Sequence, residues 1–401
     1  MKRSLILLAL VAALSGCATI KGWFSDSKSE NIEPPTPLTE FPATLSVQKL
    51  WTGSIGKGAG MTGARSGTAY ADGKIFAASV DGEIAAYDAN GGRVLWNKKL
   101  GSRHGMMWSR SDNSVRWSGG PSVEGDLVVA GTLEGTVQAF AASDGADLWT
   151  AQLSSEVISA PGIGGGIVAV RTHDGRVFGL DARDGKRLWV FDRAQVPVLS
   201  LRGNSAPVID SGVVYVGEDN GKVFALRAND GGELWEQQIA AGEGRTELER
   251  IQDVDGQIRV DSGVVYASGY GGQTEALIAQ SGRPLWTHEL PSSTGVALSA
   301  SQVYASDANS SVWALDLRSG SSEWKQDGLK YRWISAPAVQ GDAVVVGDME
   351  GFVHWLSISD GKFLARERLA KNPIQAAPLV AGDVVYVEDI KGEIGAYRVA
   401  K

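Results

Sequence analysis

The sequence predicts an all-β protein: an eight-bladed β-propeller of four-stranded antiparallel blades, closed by pairing of an N-terminal strand with the C-terminal blade. Three observations carry that expectation. A Leu-Trp pair recurs along the chain, a glycine precedes nearly every pair at a constant distance, and no helical apolar period is sustained anywhere.

The pairs stand at Leu50-Trp51, Leu95-Trp96, Leu148-Trp149, Leu188-Trp189, Leu234-Trp235, Leu285-Trp286, Glu323-Trp324 and, altered, Leu364-Ala365. Their second members are 45, 53, 40, 46, 51, 38 and 41 residues apart, the length of a blade of four short strands. Four residues before seven of them lie Gly92, Gly145, Gly185, Gly231, Gly282, Gly320 and Gly361, as in Ser143-Asp144-Gly145. Such sequences supply the positive φ that tight hairpin turns require. Upstream come two strand-like runs per unit, for example Val213-Val214-Tyr215-Val216 and Lys222-Val223-Phe224-Ala225-Leu226. A shorter strand opens the unit near Ser159-Ala160-Pro161, Ser205-Ala206-Pro207 and Ser335-Ala336-Pro337.

The first pair lacks the glycine and has no strands of its own blade before it, while the chain stops at Ala396-Tyr397-Arg398-Val399 without a last Leu-Trp strand. Pairing Leu45–Ile55 with roughly Ala376–Val399 completes the eighth blade and hides two sheet edges. The composition fits: 51 of 401 residues are Gly, with 13 Trp and only 13 Pro. Small residues suit the crowded axis and tryptophans the wider outer spaces.

Lys2 and Arg3 followed by apolar Leu5–Leu14 read as an export signal, too short to span a bilayer. It ends Leu14-Ser15-Gly16-Cys17, and Cys17 is the only cysteine of the chain. Small residues before a cysteine at that position resemble a bacterial lipobox, so residues 1–16 are expected to be cleaved and Cys17 acylated. Ala18, rather than Asp, implies sorting to the outer membrane. Residues 17–42 are polar and proline-bearing and read as a flexible tether, leaving residues 43–401 to the propeller.

Repeat proteins concentrate their differences on one face. Three insertions stand out by length: 103–117, with His104, Met106 and Trp108; Phe191–Asn204; and Ala241–Ile258. Apolar residues with arginine in loops suit a protein interface; equally, such loops cap the core with Leu199 or Leu201 tucked beneath. The net charge of −8 argues against nucleic acid. Asp253-Val254-Asp255-Gly256 is faintly like a calcium loop, but position 12 is Val264 rather than Glu, and a solvated turn is the reading preferred. The four histidines lie in different repeats without metal-ligand spacing, and Gly162–Gly166 reads as a turn rather than a phosphate cradle. No cofactor, metal or catalytic residue is expected.

With lipobox, tether, eight marked repeats and closure by an N-terminal strand, essentially the whole chain resembles the outer-membrane protein assembly factors of the BamB family. The resemblance implies a noncatalytic lipoprotein on the periplasmic face of the outer membrane. It also implies binding to the POTRA repeats of BamA, contact with other assembly-complex subunits and support for inserting β-barrel proteins. The family's Leu-Ser-Leu-Arg-Gly and Asp-Val-Asp loops stand here as Leu199–Gly203 and Asp253–Asp255, making Leu199, Leu201, Arg202, Asp253 and Asp255 the implied partner contacts. Quinone-dependent dehydrogenases resembling this fold carry a vicinal cysteine pair and an acidic calcium site, and this sequence has no cysteine after Cys17. A generic periplasmic interaction propeller is the remaining alternative.

Overall fold

The computed structural model describes residues 33–60, 62, 67–101, 115–192, 199–201, 203, 205–242, 246 and 250–400. Among them are eight four-stranded antiparallel sheets and no helix. The first seven are built from consecutive strands over Ala69–Lys99, Trp117–Gln152, Gly162–Phe191, Val208–Gln238, Arg259–His288, Val296–Gln326 and Ala338–Arg368. The eighth takes three strands from Leu379–Val399 and its outermost, Val47–Ser54, from the other end of the chain. Val47 pairs with Val399 and Ser54 with Glu393, so the ring closes as expected. Gly162–Gly164 is a first strand and only Gly165 and Gly166 form the turn, which corrects the reading of the whole stretch as a turn.

Each outer-strand tryptophan sits opposite a small residue of the third strand: Ala86 with Trp96, Gly179 with Trp189, Ala225 with Trp235 and, across the closure, Ala396 with Trp51. The indole therefore lies flat without crowding and reaches the next blade. Trp189 Nε1–H donates to the Ala228 carbonyl at 2.8 Å, and Trp51, Trp96, Trp149, Trp235, Trp286 and Trp324 make the equivalent bond at 2.8–3.1 Å. Three residues past that carbonyl comes the turn glycine. Gly231 has φ +70°, and a methyl group on it would lie 2.6 Å from Trp189 Cε3. The glycine is thus required twice, by its backbone and by the ring of the preceding blade.

The seventh blade has Ala365 where the others have tryptophan. There the pair is inverted: Trp355, on the third strand, faces Ala365. Trp355 is fully buried, donates to Gln340 Oε1 at 2.7 Å and meets Tyr397 of the eighth blade edge-on at 5.7 Å.

The larger compact unit begins at Thr36, and the residues ahead of the first strand pack against the seventh blade. The Thr36 amide donates to Lys330 O, Arg332 and Arg366 donate to the Thr36 and Thr39 carbonyls, and Phe41 stacks on Phe363 at 5.4 Å. Residues 44 and 45 then bond Leu364 O, so the segment lies along the outer strand of the seventh blade.

Candidate interaction loop and its buried clamp

The links joining an outer strand to the next blade emerge on one face of the ring. Two of them meet: the loop through Leu199, Leu201 and Gly203 between the third and fourth blades, and Asp253–Gly256 between the fourth and fifth. Leu199 and Leu201 are 43% and 39% exposed, so they do not cap the core. Arg202 and Cys17 lie outside the described residues, as do 102–114 of the longest insertion and Arg245, Glu247 and Glu249.

Asp253 and Asp255 are placed differently from expectation. They are 0% and 5% exposed, which corrects the reading of a solvated turn and sets them beneath the loop rather than on its surface. Val254 between them is fully buried in the core of the fourth and fifth blades. In an extended segment that inward valine turns both neighbours the other way, toward the 199–205 loop. Asp253 Oδ2 accepts the Leu201 amide, Asp255 Oδ2 accepts the Gly203 amide at 3.1 Å, and Ser205 Oγ donates to Gly256 O at 3.2 Å. Gly203 admits no side chain, because a methyl group there would lie 2.4 Å from Asp255 Oδ2.

Behind the aspartates lies a group that sequence reasoning missed. Arg171 closes the second strand of the third blade and is essentially inaccessible. Its Nη2 donates to Asp219 Oδ1 at 2.5 Å and to Glu218 Oε2 at 3.3 Å, both on the fourth blade. Burial works against its charge, but Glu218, Asp219 and Asp255 outweigh that and hold its pKa above the usual range. Burial pushes Glu218 up to about 7 despite Arg171, and burial with the Asp255 charge pushes Asp253 up to about 7. The only sequence signal was an arginine ending the apolar run Ile167-Val168-Ala169-Val170. Arg171 thus joins the third blade to the fourth, and the two aspartates of the next link hold the loop amides.

Asp255 and Gly203 also border the central cavity, about 780 Å³, which the innermost strands line with small residues and with Gln257, Arg259 and Asp261.

Another buried acid, Glu388, ends the second strand of the eighth blade. Burial, and then Asp389, push the Glu388 carboxyl from near 4.5 up to about 8. The folded chain therefore binds that proton more tightly than the unfolded chain. The resulting stability is complete below pH 4.5 and is lost as pH rises through 8. Glu388→Gln should raise the melting temperature at pH 8.5 and leave it nearly unchanged at pH 4.5. An equal change at both values in paired thermal melts would contradict this.

A closed eight-bladed propeller that displays an apolar loop above buried acids places the chain among propellers of the PQQ-like repeat type. Family comparison is specific: the model described as outer membrane protein assembly factor BamB matches residues 45–107, 102–326 and 328–401, and the chain belongs to that family. The BamB of Xanthomonas campestris is 42% identical over 100% of this chain and 98% of its own length. That of Escherichia coli K12 is 34% identical over 94% of each. The crystal structure of BamB from Moraxella catarrhalis, 26% identical, superposes with a TM-score of 0.78 over 88% of this chain and 100% of that one. The quinohemoprotein alcohol dehydrogenase of Comamonas testosteroni has a TM-score of 0.66 over 90% of this chain and 78% of its own, but at 13% identity shares the fold alone.

Proposed function

We propose that this chain is a noncatalytic scaffold subunit of the outer-membrane β-barrel assembly machinery. It is held at the periplasmic face of the outer membrane by acylated Cys17 and docks on the POTRA repeats of BamA. The 199–205 loop is the docking element. Leu199 and Leu201 make the apolar contact and Arg202 adds charge, while Asp253 and Asp255 act from below by fixing the loop backbone. The carrying observation is that the exposed Leu199 and Leu201 stand on a loop whose Leu201 and Gly203 amides are clamped by buried carboxylates, an ordering that lowers the entropic cost of binding. Relatives of the same length named as assembly factors support the reading, and anchoring would confine the scaffold to the membrane plane and raise its local concentration. Nascent β-barrel proteins are further partners under this reading.

Affinity purification from solubilised outer membranes tests it. The unmodified chain should bring down BamA, and Arg202→Glu should lose it with an unchanged thermal transition. Retention of BamA by Arg202→Glu would move the interface elsewhere.

A further inference from the structure

Four carboxylates crowd beneath the loop. Glu218, Asp219, Asp253 and Asp255 are 1%, 3%, 0% and 5% exposed. Arg171 is bonded to two of them, Glu218 and Asp219. One oxygen from each of Asp219, Asp253 and Asp255 lies within 4.8 Å of the other two. A single ion with metal–oxygen distances of about 2.3–2.6 Å bridges that spread.

The second observation is the set of orphaned atoms. Asp219 Oδ2 and Asp253 Oδ1 are buried without a hydrogen-bond partner. So is Oε1 of Glu218, which is outside the triad but shares the Arg171 Nη2 donor with Asp219. Buried anionic oxygens demand a donor or a cation. Arg171 occupies Asp219 Oδ1, which leaves Oδ2 for the ion.

We propose that Asp219, Asp253 and Asp255, flanked by Glu218, form a calcium site that locks the interaction loop. The all-oxygen ligand set selects a hard cation, and ligands drawn from a hairpin turn and an interblade link suit the adaptable coordination of calcium better than the strict octahedron of magnesium. Bound there, the ion holds the two aspartates whose other oxygens carry the Leu201 and Gly203 amides. Occupancy therefore stiffens the loop from inside, without touching its outer surface.

The test uses the full chain alone, so its result is independent of whether the partner is BamA. Chelator-treated protein is titrated calorimetrically with calcium chloride, with magnesium chloride as comparator. The expected result is one calcium per chain with a dissociation constant of about 10⁻⁴–10⁻³ M, and slower amide exchange at Leu201 and Gly203. Asp219→Asn, which leaves both loop acceptors in place, should weaken binding at least about tenfold. Glu218→Gln should weaken it also, and serves if the first variant fails to fold. No uptake by the unmodified chain up to about 10 mM, equal affinity for magnesium, or uptake surviving both substitutions would each overturn the proposal.

Discussion

Trp355→Ala should destabilise the propeller by about 3–5 kcal/mol, the usual cost of truncating a fully buried tryptophan. Denaturant unfolding would measure it. Three losses coincide at this position. The indole fills the space that an outer-strand tryptophan occupies in the other blades, its N–H bonds Gln340 Oε1, and its edge packs on Tyr397 of the closing blade. Gln340 in turn donates to the Asp383 and Tyr397 carbonyls of that blade, so the damage reaches the ring closure.

Adding Ala365→Trp should not repair it. An outer-strand tryptophan is seated by the hairpin glycine of the following blade, as Trp189 is by Gly231. The eighth blade takes its outer strand from residues 47–54, so no hairpin joins its last two strands and no such glycine exists. The double variant should recover less than about 1 kcal/mol of the loss. Full recovery would show that the missing glycine is not why this blade inverted its pair.

That inversion marks where the fold was legible and where it was not. Leu-Trp and the glycine four residues earlier recur, and recurrence exposes a pattern even when each instance is weak. Blade number and closure followed from it. What the pattern concealed was the glycine's second duty, since the ring pressing on Gly231 belongs to another repeat and no sequence spacing announces it. Leu364-Ala365 looked like decay, but the tryptophan had crossed to the facing strand, a move visible only in the pairing register.

The loops were legible by length and by family resemblance, yet the chemistry under them was not. Asp253-Val254-Asp255 reads as a polar turn because its neighbours in sequence are polar. It is buried instead, with Val254 in the core and both aspartates beside Asp219 of a hairpin turn distant in sequence. Charged residues that close an apolar strand were the available clue.

Replacing both Leu199 and Leu201 by Ala should weaken binding to the POTRA repeats by about 2–4 kcal/mol, or about 30- to 1,000-fold in Kd. The side chains are 43% and 39% exposed in the free protein, so the melting temperature should stay where it is. Asp253→Ala should weaken binding through a different route. It removes the acceptor of the Leu201 amide while leaving both leucines intact. Hydrogen exchange separates the two: amide exchange at Leu201 and Gly203 should quicken in Asp253→Ala and remain unchanged in the leucine variant. Slow exchange in Asp253→Ala together with lost binding would mean that the carboxylate meets the partner itself. That would require the buried link to open on docking, because at 0% exposure no partner atom reaches it in the closed form. The clamp and the contact are thus distinguishable functions of adjoining loops, and the leucines lose their affinity only if the order imposed from beneath is what makes them bind.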